Sequence, residues 1–399
     1  MSIKIYSFSK KEQNMDASKK RLSKKEILSA ISDFAKHNAV LLIAIAAAVI
    51  TSFIVPPDSA YLGYFDFKTL ACLFSVLAVV CALRNIRFFT ILARKIVKLC
   101  KNARLCVITL IYITFIGSML IANDMALITF LPLGFFALDS TGKQKYMSFT
   151  FIMQNIAANL GGMITPFGNP QNLYIYNKFN IPVGEFTLIM LFPFVVAILM
   201  ITVFCFMFVK NEPLMIIPQE EKLNVPRALV YSVLFALSII MVFNIVHYTV
   251  VTPIIVIALL FLDRKALAKV DYGLLLTFCA FFVFSGNMSR IDAVSRLFSY
   301  LLNINTMVFS ALSCQFISNV PSAILLSNFT GNYRELLLGV NIGGAGTLIA
   351  SLASLITFRE YSTLYPKNVG RYLFKFTVFN FIFLLGLLAL QSIFNIFFA

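Results

Sequence analysis

Nine long apolar stretches recur along this chain, eight of them at least 18 residues long, and they run without alternation. A bilayer core offers the backbone no water, so stretches of about 20 apolar residues must close their own hydrogen bonds as helices. A transmembrane barrel would alternate apolar and polar residues instead. Composition agrees: 60% of 399 residues are apolar and 13% charged, with a mean hydropathy of +0.88. A soluble domain carries about a quarter charged residues. The fold class expected is therefore an all-α polytopic membrane protein.

The expected spans are 38–56, 67–84, 146–177, 185–209, 228–246, 248–262, 271–288, 335–357 and 371–397. Two further apolar stretches, 104–138 and 304–327, are interrupted by polar residues at their centres and read as re-entrant hairpins. Segments 86–101 and 290–302 are amphipathic and read as surface helices. Residues 1–37 form a polar, basic leader. Within it, Ser23-Lys24-Lys25-Glu26 is a capping box, followed by Ile27, Ile31 and Phe34 on one helix face. That pattern predicts a short interfacial helix on the cytoplasmic surface. The long leader and the lack of a small-x-small cleavage pattern make the first apolar run a retained span.

Charge orients the chain. With the N-terminus in the cytoplasm, 28 of the 33 Lys and Arg fall in cytoplasmic pieces. Only Lys68, Lys178, Arg290, Arg296 and Arg334 fall outside. Turning either hairpin into a full crossing would put basic loops outside, so the asymmetry supports the hairpins and the orientation together. The expected location is the plasma (inner) membrane, with the C-terminus outside. The net charge of +16 is explained by these loops rather than by nucleic-acid binding.

The seven Cys are scattered without a C-x-x-C pair and read as small buried hydrophobes. Only His37 and His247 are present, which excludes a His-rich metal site; His247 is expected in an outer turn. No G-x-S-x-G, H-E-x-x-H, P-loop or paired intramembrane aspartates occur, so no enzyme activity is expected.

An internal duplication organises the rest. Gly161-Gly162-Met163-Ile164-Thr165 is matched by Gly343-Gly344-Ala345-Gly346-Thr347, and Ala122-Asn123-Asp124 by Ser318-Asn319-Val320. The order span, span, surface helix, hairpin, broken span, span describes both 38–209 and 248–399. The loop and single span at 210–247 lie between them, so the second copy is expected to run in the opposite direction. Inverted repeats with interrupted helices mark secondary transporters, with the site at the midplane.

Four segments carry candidate chemistry. Thr165-Pro166-Phe167-Gly168-Asn169-Pro170-Gln171-Asn172 cannot continue a helix without losing backbone bonds. The freed carbonyls suit a cation, and the half-helix that follows offers N–H groups to an anion. Asn169 and Asn172 add side-chain donors and acceptors. The counterpart, Gly343 to Ser354, offers Gly344 and Thr347, although small residues also serve close helix packing. The hairpin tips offer Asn123 with Asp124 and Ser318 with Asn319. Asp124 reads as the one acid deep in an apolar stretch, suited to a sodium ion or a coupling proton; a hydrogen bond to the hairpin backbone is the structural alternative. No Lys or Arg is expected near the breaks, so an anion would be held by dipoles, amides, hydroxyls and a co-bound cation.

These residues resemble a known group. The segments ANDMALITFLPL, GGMITPFGNPQNLYIY and SNVPSAILLSNFTGNYRELLLGVNIGGAGTLIASLASLI look like those of citrate-transporter-like permeases of the ion transporter superfamily. That superfamily spans divalent-anion/sodium symporters, arsenite permeases and sodium/proton antiporters. The resemblance covers nearly the whole chain from about residue 38. It implies a homodimer with a static scaffold and a moving transport domain, working as an elevator with sodium or proton coupling and no other cofactor. It implies a site between the tips (Asn123, Asp124; Ser318, Asn319) and the breaks (Thr165, Gly168, Asn169, Asn172; Gly344, Thr347), with sodium near Asn123, Asn169 and Asn319. The dicarboxylate branch carries Ser-Asn-Thr at both tips. Here Asp124 and Val320 take the third positions, closer to the arsenite and antiporter branches. The function expected is ion-coupled transport of a small inorganic or carboxylate anion. A sodium/proton antiporter without organic substrate and an arsenite-type efflux permease are the alternatives.

Overall fold

The computed structural model describes residues 39–214 and 222–398. The 1–37 leader and its expected interfacial helix lie outside the described residues, as does part of the loop after 210. Among the described residues, all regular structure is helical except one isolated bridge between Asn102 and Pro213.

In chain order the helices are α1 (Ala39–Ile54), α2 (Phe67–Asn85), the surface helix α3 (Phe88–Val97), and the pair α4 (Ala103–Ile121) and α5 (Asn123–Asp139). Then come α6 (Met147–Gly161), α7 (Pro170–Lys178), α8 (Val183–Phe208), α9 (Val225–Val242), α10 (Tyr248–Leu262) and the short α11 (Arg264–Ala268). The remainder is α12 (Tyr272–Ser289), a second surface helix α13 (Asp292–Ile304), the pair α14 (Thr306–Ile317) and α15 (Asn319–Leu326), α16 (Tyr333–Ile342), α17 (Leu352–Leu364) and α18 (Val369–Phe398). Acidic and amide side chains punctuate the apolar runs. Asp66, Asn102, Asn224, Asp271, Asn305 and Asn332 each accept a backbone N–H from the first turn of the helix they precede. Each such cap contributes about 1 kcal/mol. His247 does the same for α10 from an exposed position.

Six helices among the described residues are long and apolar enough to cross a membrane: α2, α4, α8, α9, α12 and α18. Burial sorts the helices by environment. In α6 nearly every residue is buried, and in α7 all but the last, although α7 reads Pro-Gln-Asn-Leu-Tyr-Ile-Tyr-Asn-Lys. By contrast α8, α9, α10 and α18 leave large apolar side chains bare, including Leu188, Leu199, Val203, Leu229, Val233, Phe261, Phe374 and Leu385. A water-facing surface would not carry so continuous an apolar belt. The chain is a multi-pass membrane protein. All seven cysteines are free, and six are buried.

Polar contacts divide the loops between two faces. On one face, Asn85 donates to Asp263 at 2.9 Å and Lys269 to Asn85 at 3.0 Å. Glu212 there pairs with Lys143 at 2.9 Å and with Lys145. On the other, Arg290 pairs with Asp58 at 2.7 Å, Arg334 with Glu185 at 3.7 Å, and Lys178 with Asn328. Helix α8, about 39 Å long at 1.5 Å per residue, connects the faces.

Both hairpins close onto α8, at opposite ends. The first begins where the Ala103 N–H donates to the Glu212 carbonyl at 2.8 Å and ends near Lys143 and Lys145. Both of its ends therefore sit just beyond the C-terminus of α8. The second sits at the α8 N-terminus, where Tyr333 donates to Glu185 at 2.8 Å and Glu335 accepts from the Met307 N–H at 3.3 Å. Each pair α4–α5 and α14–α15 enters and leaves on one face.

Glu212 makes the first base pH-sensitive. Hydrogen bonds from Lys145 and Lys143 hold its carboxyl down at about 2, against an ordinary 4.5. A depressed folded value gives stability that is complete above the unfolded value and fades as pH falls from 4.5 toward 2. Glu212→Gln is therefore expected to lower the thermal midpoint at pH 7 and to flatten its fall between pH 5 and 2. Unfolding followed at several pH values checks this; an unchanged acid profile would remove Glu212 from the clamp.

Candidate transport site

Each hairpin turns on a single residue. Ala122 (φ 66°, ψ 150°) and Ser318 (φ 74°, ψ 158°) adopt backbone angles that side chains normally avoid. Such geometry costs about 1–3 kcal/mol and persists only where the surroundings enforce it. The next residue is asparagine in both cases. Asn123 Oδ1 accepts from the Asp124 N–H at 2.9 Å, and Asn319 Oδ1 accepts from the Val320 N–H at 2.9 Å.

Each tip is tied to a broken helix by the same bond. Thr165 donates its hydroxyl to the Met119 carbonyl at 2.8 Å, and Thr347 donates to the Gln315 carbonyl at 3.0 Å. The breaks themselves are packed against the hairpins. A Cβ on Gly161 would meet the Phe115 carbonyl at 2.3 Å, and one on Gly343 would meet Ala311 Cα at 2.8 Å. Gly168 lies against the Gly162 carbonyl, where a Cβ would come within 2.3 Å. Gly344 brings the second break against the Asn319 amide, 3.2 Å from where its Cβ would be.

A chain of side-chain amides joins these parts. Asn123 donates to Asn159 Oδ1 at 3.2 Å, and Asn169 donates to the Asn159 carbonyl at 3.2 Å and to Asn341 Oδ1 at 3.4 Å. Asn341 donates to Asn172 Oδ1 at 2.6 Å. Asn172 spends its own donor on the carbonyls of Gly162, Met163 and Thr165, so it stabilises the first break. Asn159 is twelve residues into α6, about 18 Å from the helix start, which puts the amides near mid-height. Asn159 Nδ2, Asn169 Oδ1, Gln171 Oε1 and Asp124 Oδ1 are buried without a hydrogen-bond partner. Buried polar atoms are nearly always paired, so these four leave room for a water, an ion or a ligand beside them.

Beside the tips lies a cavity of about 610 Å³. The first residues of four helices reach it: Asn123 and Asp124 of α5, Pro170 and Gln171 of α7, Asn319 and Val320 of α15, and Leu352 of α17. Four helix N-termini, each carrying a partial positive charge, therefore converge on the cavity, although the first N–H groups of α15 are already taken by the Ala350 carbonyl, Asn319 Oδ1 and the Ser318 carbonyl. Ser318 lines the cavity beside them. The opposite wall comes from α1 and α12. Of the expected site residues, Asn123, Asp124, Ser318 and Asn319 face this space. Asn169 and Asn172 lie behind it, Thr165, Gly344 and Thr347 join breaks to hairpins, and Gly168 packs within the first break.

Two charged residues that the sequence reading did not place at the site stand near the first tip. Asp124 is not alone, because Asp271 at the start of α12 lines the same cavity and a small adjoining chamber with it. Asp271 stands at the end of an expected span, and only the folded chain carries it to the tip. Nor is the first tip free of nearby base: Arg84, at the end of α2, reaches Met125 Sδ at 3.7 Å. Three further residues went unread, namely Asn159, Asn341 and Gln315. The first two carry a signal, since Asn-x-Gly-Gly occurs at 159–162 and again at 341–344. Gln315 donates to the Gly343 and Ala345 carbonyls and accepts from the Thr347 N–H, stitching the second break. Among the described residues, no group of three or more His, Cys, Asp or Glu is placed to hold a metal ion.

The sequence model of the citrate transporter family matches residues 27–332. The chain belongs to the citrate transporter family. The chain is similar to an uncharacterized transporter of Methanocaldococcus jannaschii, 33% identical over 336 residues that cover 82% of this chain and 90% of the relative. The inner membrane protein YbiR of Escherichia coli is 26% identical over 318 residues, covering 77% of this chain and 84% of that one. Family and architecture together make this citrate-transporter family member a membrane transporter.

Proposed function

We propose that the chain is an ion-coupled secondary transporter for a small inorganic or carboxylate anion, set in the plasma (inner) membrane with its N-terminus in the cytoplasm. One observation carries the reading: four helix N-termini converge on a mid-height cavity. Their dipoles suit an anion there, and the carbonyl ends of α4, α6, α14 and α16 beside them suit a cation. Asn123, Asn159 and Asn169 would hold a coupling sodium ion, or Asp124 would carry a coupling proton. The matched tips and breaks, closing on opposite ends of α8, support an inverted repeat of 38–209 and 248–399. Binding and coupled movement of ions, without bond chemistry, is the whole activity in this reading.

An elevator movement also has support. Helix α2 packs against α9, α10 and α11, and α1 against α12, whereas α4 packs on α6 and α14 on α16. The cavity lies between those groups, as a moving transport domain sliding on a scaffold requires. A homodimer through the scaffold completes the proposal.

The acid pair Asp124 and Asp271 favours a second reading, a sodium/proton antiporter. Thermal stability of the purified protein separates the two. The panel is acetate, benzoate, succinate, citrate, sulfate, phosphate and arsenite, each with sodium or potassium at two pH values. The expected result is stabilisation by at least one anion that depends on sodium or on pH, because a ligand of the native state raises its stability. Stabilisation by sodium or pH alone, with every anion silent, would replace the anion reading with the antiporter.

A further inference from the structure

The cavity is polar at the hairpin tips and largely apolar elsewhere. Its body is walled by Phe281, Phe284, Phe298, Phe309 and Phe316, with Leu312 among them. No Lys, Arg or His lines it, and both acids on its wall, Asp124 and Asp271, sit toward the tips. The guanidinium of Arg84 reaches Met125 Sδ and is absent from the wall. A volume of about 610 Å³ is in the range of sites for drug-sized organic ligands and far exceeds what an oxyanion such as sulfate fills.

These facts constrain charge as well as size. One carboxylate fits among the four N-termini once the coupling sodium ion or proton offsets the charge of Asp124. Away from the tips the lining offers only two hydroxyls, Thr277, which donates to the Gly273 carbonyl, and Ser313, which pairs with Ser322, so a second or third carboxylate on the same ligand would lie on phenylalanine rings or beside Asp271. Burying an unpaired charge there is costly, and a like charge nearby adds repulsion. We infer that the site takes a monocarboxylate with an aromatic or branched apolar body, its carboxylate at the two tips and its body on the phenylalanine wall, in preference to a polycarboxylate such as citrate. The inference rests on the anion-transport reading and narrows its substrate class.

Binding of radiolabelled phenylacetate to the full chain in nanodiscs, with sodium present, tests it. Saturable binding is expected, displaced by 3-methylbutanoate and at least about tenfold less effectively by citrate or sulfate. The uncharged counterpart 2-phenylethanol should not displace it. Asn319→Ala and Phe316→Ser should each weaken phenylacetate at least about threefold; Phe316 is 72% exposed, so its replacement leaves the fold intact. Citrate or sulfate binding more tightly than phenylacetate would overturn the inference and leave the anion reading standing. Equal displacement by 2-phenylethanol, or binding indifferent to Asn319→Ala, would mean apolar partitioning and overturn it too. No binding by any anion would sink both.

Discussion

Gly346→Ala is expected to destabilise the second broken helix by about 2–4 kcal/mol, a large share of what holds a protein folded. Gly346 has φ +134°, a backbone conformation that a side chain makes strained. The added Cβ would also lie 2.0 Å from Gln315 Oε1. Gln315 cannot yield freely, because it is buried and bonded to the carbonyls of Ala311, Gly343 and Ala345 and to the Thr347 N–H. Displacing it leaves buried backbone groups unpaired exactly where no helix can pair them. Gly370→Ala provides the contrast: a Cβ there meets nothing within 4 Å, and the change is expected to fall within about 0.5 kcal/mol of neutral. Thermal unfolding of the two variants checks the pair. Equal midpoints would mean that Gln315 does not brace the break.

The apolar runs made the spans legible, because a bilayer admits so few backbone solutions. Proline at 166 and 170 marked the first break, and matching glycines marked the second. The hairpins were legible from charge: Lys143 and Lys145 had to stay on the face of Arg104, and the structure brings that segment back to Glu212. The site was only half legible. Asn123 and Asn319 announce themselves at interrupted centres, whereas Asn159 and Asn341 sit in the last turn of a helix, where one amide breaks no pattern. Thr165 and Thr347 look like ligands in a linear chain; folded, their hydroxyls face hairpin carbonyls. Asp271 and Arg84 were missed for a different reason. They lie more than a hundred and about forty residues from Asp124 in sequence, and no local periodicity reports such an approach.

Coupling gives the account its sharpest test. Asp124 stands at the N-terminus of α5, on the hairpin side of the cavity, with Asp271 on the opposite wall. Its Oδ1 is buried without a partner, and an intramembrane acid is too costly to keep for packing alone. Asparagine preserves its shape while removing the charge and the titrating proton. A charge-assisted contact contributes about 1.5–3 kcal/mol, so its loss translates to a rate about 10- to 100-fold lower. The measurement is uptake of a stabilising anion into proteoliposomes under imposed sodium and proton gradients, with wild type and Asp124→Asn side by side. The account predicts saturable wild-type uptake that collapses when one of the two gradients is dissipated, and a variant at least about tenfold slower with that dependence gone. Uptake that rises linearly with anion concentration, ignores both gradients and is unchanged by Asp124→Asn would contradict it and point to a channel.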